Sequence, residues 1–158
     1  MNVGSWLLWG FVATTLLTSI MVGAQALGLT RMNLTYFIGT MYTADRDRAK
    51  VIGFFTHLVN GQLFALLYVA IFHALGQGGV LRGAFIGLVH SAVVLLVVMP
   101  LLPSIHPRMA SLHQGPTNLR QLEPPGPFAL HYGVSTPVVV VLSHVVFGAL
   151  VGALAPIR

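Results

Sequence analysis

Four long runs of apolar residues, at 6–29, 51–75, 80–102 and 134–155, constrain this chain more than any other feature. A bilayer core takes about 20 apolar residues per helix, and each run meets that length. Composition agrees with the pattern: 56% of residues are hydrophobic, 7% are charged, and mean hydropathy is +0.84. A soluble domain carries roughly 25% charged residues. The expected fold is all-α, an integral membrane four-helix bundle built as a single transmembrane domain over residues 1–158.

The first run could be confused with a signal peptide, because Ala24-Gln25-Ala26 resembles a small-residue cleavage site. No Lys or Arg precedes it and the run is longer than a signal core, so it reads as an uncleaved span. The net charge of +5 is spread over loops and is no nucleic-acid footprint. Arg31, Arg46, Arg48 and Lys50 follow the first span, Arg108 and Arg120 the third, and only Arg82 and Arg158 lie on the other side. By the positive-inside rule, loops 30–50 and 103–133 are expected in the cytoplasm and both termini outside. The chain contains no cysteine, which excludes disulfides, thiolate metal sites and cysteine catalysis.

Between the first two spans, Leu34, Phe37, Ile38 and Met41 recur at helical spacing, flanked by Tyr36 and Tyr42. Residues 32–42 are expected to form a short interfacial helix; the alternative is an amphipathic linker packed on the bundle. Thr43 to Arg48 carries a helix-start signal. The turn Gly76-Gln77-Gly78-Gly79 makes the second and third spans expected antiparallel neighbours. The third span is expected to end at Pro100-Leu101-Leu102-Pro103. The Pro-rich loop 103–133, with His106, His113 and His131, reads as a solvated or partner-covered linker.

The stretch Thr56-His57-Leu58-Val59-Asn60-Gly61-Gln62-Leu63 recurs as Ser143-His144-Val145-Val146-Phe147-Gly148-Ala149-Leu150. The chain therefore reads as two repeated helical hairpins, related by an axis along the membrane normal. Small residues four apart mark a face on each span: Gly10, Thr14 and Thr18; Gly61 with His57; Gly83, Gly87 and Ser91, with His90 beside them; and His144, Gly148 and Gly152. Such faces let helices approach closely where lipid offers no hydrophobic drive.

His57, His90 and His144 fall at similar depths and are the candidate site residues. Intramembrane ionisable groups are costly and mark function by default. Two readings fit. In the first, each imidazole hydrogen-bonds a hydroxyl, an amide or a backbone carbonyl across the bundle; no further ligand signature accompanies the histidines, and this reading leads. In the second, His57 and His144, with His90 near them, hold a haem iron or chlorin magnesium, with Thr56, Ser143 and Tyr68 orienting the rings. No metal site is expected otherwise. The only acids, Asp45, Asp47 and Glu123, lie in loops, and no phosphate loop, nucleophile elbow or acid pair is present.

Gly53-Phe54-Phe55-Thr56-His57 running on to Gly61 and Tyr68, Leu81-Arg82-Gly83 with Val97-Val98-Met99-Pro100, and Ser143 to Gly148 together resemble a group of small bacterial four-helix inner-membrane proteins of unknown function. The resemblance covers most of the chain through short apolar motifs. It implies the four-span fold and a bacterial inner (cytoplasmic) membrane, and carries no activity. Loop 103–133 is longer than that group's pattern, which points to a specialised contact. The expected function is a non-enzymatic accessory or structural subunit of a larger membrane complex or homo-oligomer, embedded in lipid and without nucleic-acid partners. The alternatives are a small solute or proton transporter or channel, and a bis-His cofactor-binding subunit.

Overall fold

A computed structural model describes residues 3–111, 117 and 119–154; His113 and Arg158 lie outside them. Helix α1 spans Val3–Ala26. It stops because Gly28 turns to φ +74° and the Leu29 N–H closes back on the Ala24 carbonyl at 2.9 Å. Glycine adopts that left-handed conformation without steric cost, so Leu27 and Leu29 lie beyond the helix although they extend the apolar run. Helix α2, Leu34–Gly39, is capped by Asn33, whose side-chain oxygen accepts from the Tyr36 N–H at 3.0 Å. Helix α3, Arg46–Ala74, starts on Asp45, which accepts from the Asp47 and Arg48 N–H groups at 3.1 and 2.8 Å.

Helix α4, Val80–Val93, runs through a π-turn, Val94–Val98, into α5, Met99–Ile105. Together they make one apolar helix, Val80–Ile105. The third span therefore does not end at residue 102. Pro100 does not break it, because the ladder has already slipped one residue: the Met99 N–H bonds the Val94 carbonyl, five positions back, and Pro103 lies inside α5 within a turn of its end at Ile105. A proline in the first turn of the resumed helix lacks only an N–H that would go unused. A 3-10 turn, Pro127–Tyr132, precedes α6, Thr136–Leu154. Four helices, at Val3–Ala26, Arg46–Ala74, Val80–Ile105 and Thr136–Leu154, are long and apolar enough to cross a membrane.

The small-residue faces decide how these helices meet. Helices α4 and α6 pack at backbone distance: a Cβ on Gly83 would overlap the Gly148 carbonyl, and one on Gly87 would overlap that of His144. Helix α1 packs on both α3 and α6. Its Gly10 sits under Gln62 and Ala65, its Thr14 fills the space at Gly61, and the Trp6 indole N–H donates to the Gln62 carbonyl at 3.1 Å. Helices α3 and α4, expected to be neighbours from their short turn, do not pack backbone to backbone as α4 and α6 do; they meet through side chains, Tyr68 and Phe64 against His90. The turn sets their direction, and these bulky side chains keep the two backbones apart. A strict repeat would pair α3 with α4 as closely as α6 pairs with α1, and the α3–α4 contact is looser than that.

Two further expectations change. Only Leu34–Gly39 of segment 32–42 is helical, and it folds back on the start of α3, where Gly39 and Gly53 bring the backbones of the two helices together. The described part of loop 103–133 is not a solvated linker. Met109, Leu122, Pro125, Ala129 and Tyr132 are buried, and Met109 pairs with Leu122 through bonds from the Ala110 N–H to the Leu122 carbonyl and from the Leu122 N–H to the Arg108 carbonyl. The loop and α2 form one cap over an end of the helices.

Candidate functional site

The space left between α3 and α4 is a cavity of about 310 Å³. Its walls are apolar (Leu17, Met21, Phe37, Phe64, Val94, Phe147), and His57, His90 and His144 are set into them. Asn60, Phe64 and Val98 line it while remaining exposed, so the mouth opens sideways between α3 and the α4–α5 helix. The surrounding helix surfaces carry exposed apolar side chains such as Leu63, Leu67, Val93 and Val97.

Each histidine arrives on a different helix and is held by Nδ1. His57 meets the Thr18 hydroxyl of α1 at 2.9 Å. His90 meets the Tyr68 hydroxyl of α3 at 3.1 Å, and Tyr68 is itself wedged edge-on against Phe147 with ring centres 5.4 Å apart. His144 meets the carbonyl of Val140 on its own helix at 2.8 Å. The close approach at Gly87 brings His90 edge-to-face with His144, ring centres 4.7 Å apart, and Phe64 stacks on His90 at 4.0 Å.

Counting hydrogens fixes one of the three tautomers, that of His144. The Thr18 hydroxyl has one hydrogen for two partners, the Thr14 carbonyl at 2.8 Å and Nδ1 of His57 at 2.9 Å, and it accepts from His57 when it donates to the carbonyl. The Val140 carbonyl accepts by nature. His144 therefore carries its proton on Nδ1, as does His57 when Thr18 bonds the Thr14 carbonyl, and a neutral ring in that tautomer keeps a bare lone pair on Nε2. At His90 either partner can donate. Among the described residues no hydrogen bond reaches any of the three Nε2 atoms, and none of them is a sealed, partnerless nitrogen. These edges open on unfilled space.

The arrangement limits metal chemistry. Two imidazoles on opposite faces of one ion place their ring centres roughly 6 Å apart, and His90 and His144 are closer than that, at 4.7 Å. As placed, this pair does not flank a haem iron or chlorin magnesium. No group of three His or acidic side chains is placed to hold a metal ion among the described residues.

The cap closes the cavity at one end through a residue that sequence reasoning left in a loop. His106 is buried; its Nε2 lies 3.2 Å from the Phe37 carbonyl and 3.4 Å from the Thr40 hydroxyl, and its Nδ1 accepts from the Arg108 N–H at 3.1 Å. The Arg108 guanidinium donates to the Thr40 carbonyl at 2.8 Å. Burial pushes the His106 imidazole below its ordinary value of 6.5; the Phe37 carbonyl opposes that shift and the Arg108 cation adds to it. His131 bonds the Pro124 carbonyl at 2.9 Å, away from the cavity.

All three candidate histidines thus line one cavity, though the ring pair in contact is His90 with His144, not the repeat-related His57 and His144. Of the expected orienting groups Tyr68 holds a ring, whereas the Ser143 hydroxyl donates to the Val140 carbonyl. Thr18 was missed as a ring partner. It was visible only as one of a row of small residues, and its position opposite His57 depends on how α1 meets α3. Compared with protein-family models, curated proteins and solved structures, the chain finds no match in any of the three.

Proposed function

We propose that this chain is a non-enzymatic integral membrane protein that holds a lipid-soluble ligand as a subunit of a larger membrane complex. Its four spans form a bundle of two related hairpins in a bacterial cytoplasmic membrane, with termini outside and the cap in the cytoplasm. One observation carries the reading: an apolar cavity with three unmatched imidazole edges opens sideways between two apolar helices. A concave, mostly apolar site with a few convergent polar groups is the usual form of a small-molecule site. A mouth on the helix flank gives access from lipid.

Catalysis finds no support beside it, since no carboxylate or nucleophile set lines the cavity. A channel is the weaker alternative because α2 and the loop close one end. Proteoliposomes are expected to show no solute or proton flux above empty vesicles. Purification of the native chain in mild detergent should yield an assembly of defined stoichiometry whose organic extract contains a stoichiometric apolar compound. A stable, ligand-free monomer would overturn the proposal.

A further inference from the structure

The polarity of the cavity narrows what it can hold, given the reading of it as a ligand site. The tautomer of His144 is set from outside the cavity by the Val140 carbonyl, so it presents an acceptor, and His57 presents a second acceptor when Thr18 bonds the Thr14 carbonyl. A bare lone pair in an apolar surrounding is an unsatisfied group, and its natural complement is a hydrogen-bond donor. Metal ions also complement lone pairs, but no three-ligand set exists among the described residues. The donor must reach the cavity between α3 and α4, past the exposed Phe64 and Val98, so it belongs to a molecule that partitions into hydrocarbon. Phe64 stacked on His90 at 4.0 Å supplies a flat wall for a flat ring. The volume of about 310 Å³ suits one substituted ring and falls at the lower end of the ~300–1,000 Å³ range of small-molecule sites.

We infer that the cavity binds the ring of a lipid-soluble hydroquinone, its hydroxyls donating to Nε2 of His57 and Nε2 of His144 while its apolar tail leaves through the gap between α3 and α4. Two acceptors on two helices match a ring that carries two hydroxyls. His90 sits between donor and acceptor roles: when the Tyr68 hydroxyl donates to Nδ1, Nε2 of His90 carries the proton, and when Nδ1 donates to Tyr68, Nε2 becomes a third acceptor. The site thus offers a fixed acceptor at His144 and takes ring hydroxyls at His57 and His90 through the tautomers that Thr18 and Tyr68 allow.

The test compares a decyl-substituted benzohydroquinone with its dimethyl ether, which keeps ring and tail but cannot donate. Binding to the full chain in nanodiscs under reducing conditions would be followed by quenching of intrinsic fluorescence. The hydroquinone is expected to bind on the order of ten-fold tighter than the ether, the worth of one to two net hydrogen bonds. His57→Phe and His144→Phe should each erase most of that preference. His57→Gln, whose amide oxygen still accepts, should retain part of it, and His73→Phe on exposed helix surface should retain all of it. Equal affinity for the two compounds in the unaltered protein would overturn the hydroquinone assignment while leaving a lipid-soluble ligand site intact. Binding of neither compound, nor of any lipid-extractable molecule, would overturn both. Zinc binding that depends on His57 and His144 and excludes the hydroquinone would also overturn the assignment, since the lone pairs would then be metal ligands.

Discussion

A methyl group added at Gly87 would overlap the His144 carbonyl, whereas one added at Gly23 would meet no atom within 4 Å. The same substitution should therefore have opposite signs at the two sites. Gly87→Ala forces α4 off α6 and should destabilise the protein by about 1–3 kcal/mol, the usual range for overpacking. Gly23→Ala, inside α1, removes backbone entropy from the unfolded chain and should stabilise by about 0.5–1 kcal/mol. Thermal unfolding in detergent, followed by circular dichroism, checks both; a loss at Gly23 equal to that at Gly87 would mean that the close approach is not what the glycine serves. Thr18→Val tests the ring contact in the same assay: it removes the hydroxyl hydrogen-bonded to Nδ1 of His57 and should cost around 0.6–2 kcal/mol.

The cap is the element whose stability should depend on acidity. His106 has a folded pKa below 6.5, so in the folded state it resists the proton that the unfolded chain takes up below that value. Its contribution to cap stability is complete above about pH 6.5 and is lost as pH falls beneath it. The exposed ion pair of Arg31 with Glu123, at 3.0 Å, adds little. Amide protection factors, the exchange rates corrected for the intrinsic effect of pH, should fall in residues 106–111 and 120–132 between pH 7.5 and pH 5.5, with little change in the core of α6. His106→Gln should flatten that difference. If the protection factors of the cap are the same across this range in the unaltered protein, His106 is not the group that holds it.

Across the whole molecule, the cap and the α3–α4 turn lie at opposite ends of the long helices, which makes orientation testable by simple chemistry. The chain has no cysteine, so single replacements report without background. Six loop cations on the cap side against two on the other predict that the cap faces the cytoplasm. Gln77→Cys should react with a membrane-impermeant maleimide in intact cells, and Leu119→Cys, on a side chain 73% exposed, should react only after permeabilisation. The reverse pattern would invert the topology.

The sequence by itself determined the four helices, their approximate limits and the faces they bring together. Those properties follow from the length of apolar runs, from caps such as Asp45 and from residues one turn apart, all of which are local. It also singled out the three histidines that line the cavity, because an imidazole in an apolar run stands out wherever the run ends up. Tertiary structure alone decided which helices touch. Glycine faces joined α4 to α6, while Phe64, Tyr68 and His90 kept α3 from α4, and the cavity is the space that this difference leaves. It also decided that His106 is buried and that Thr18 holds His57, since each depends on residues at least 39 positions away. Local patterns carry the period of a helix, but the rotation of one helix against another depends on how all the side chains between them fit at once.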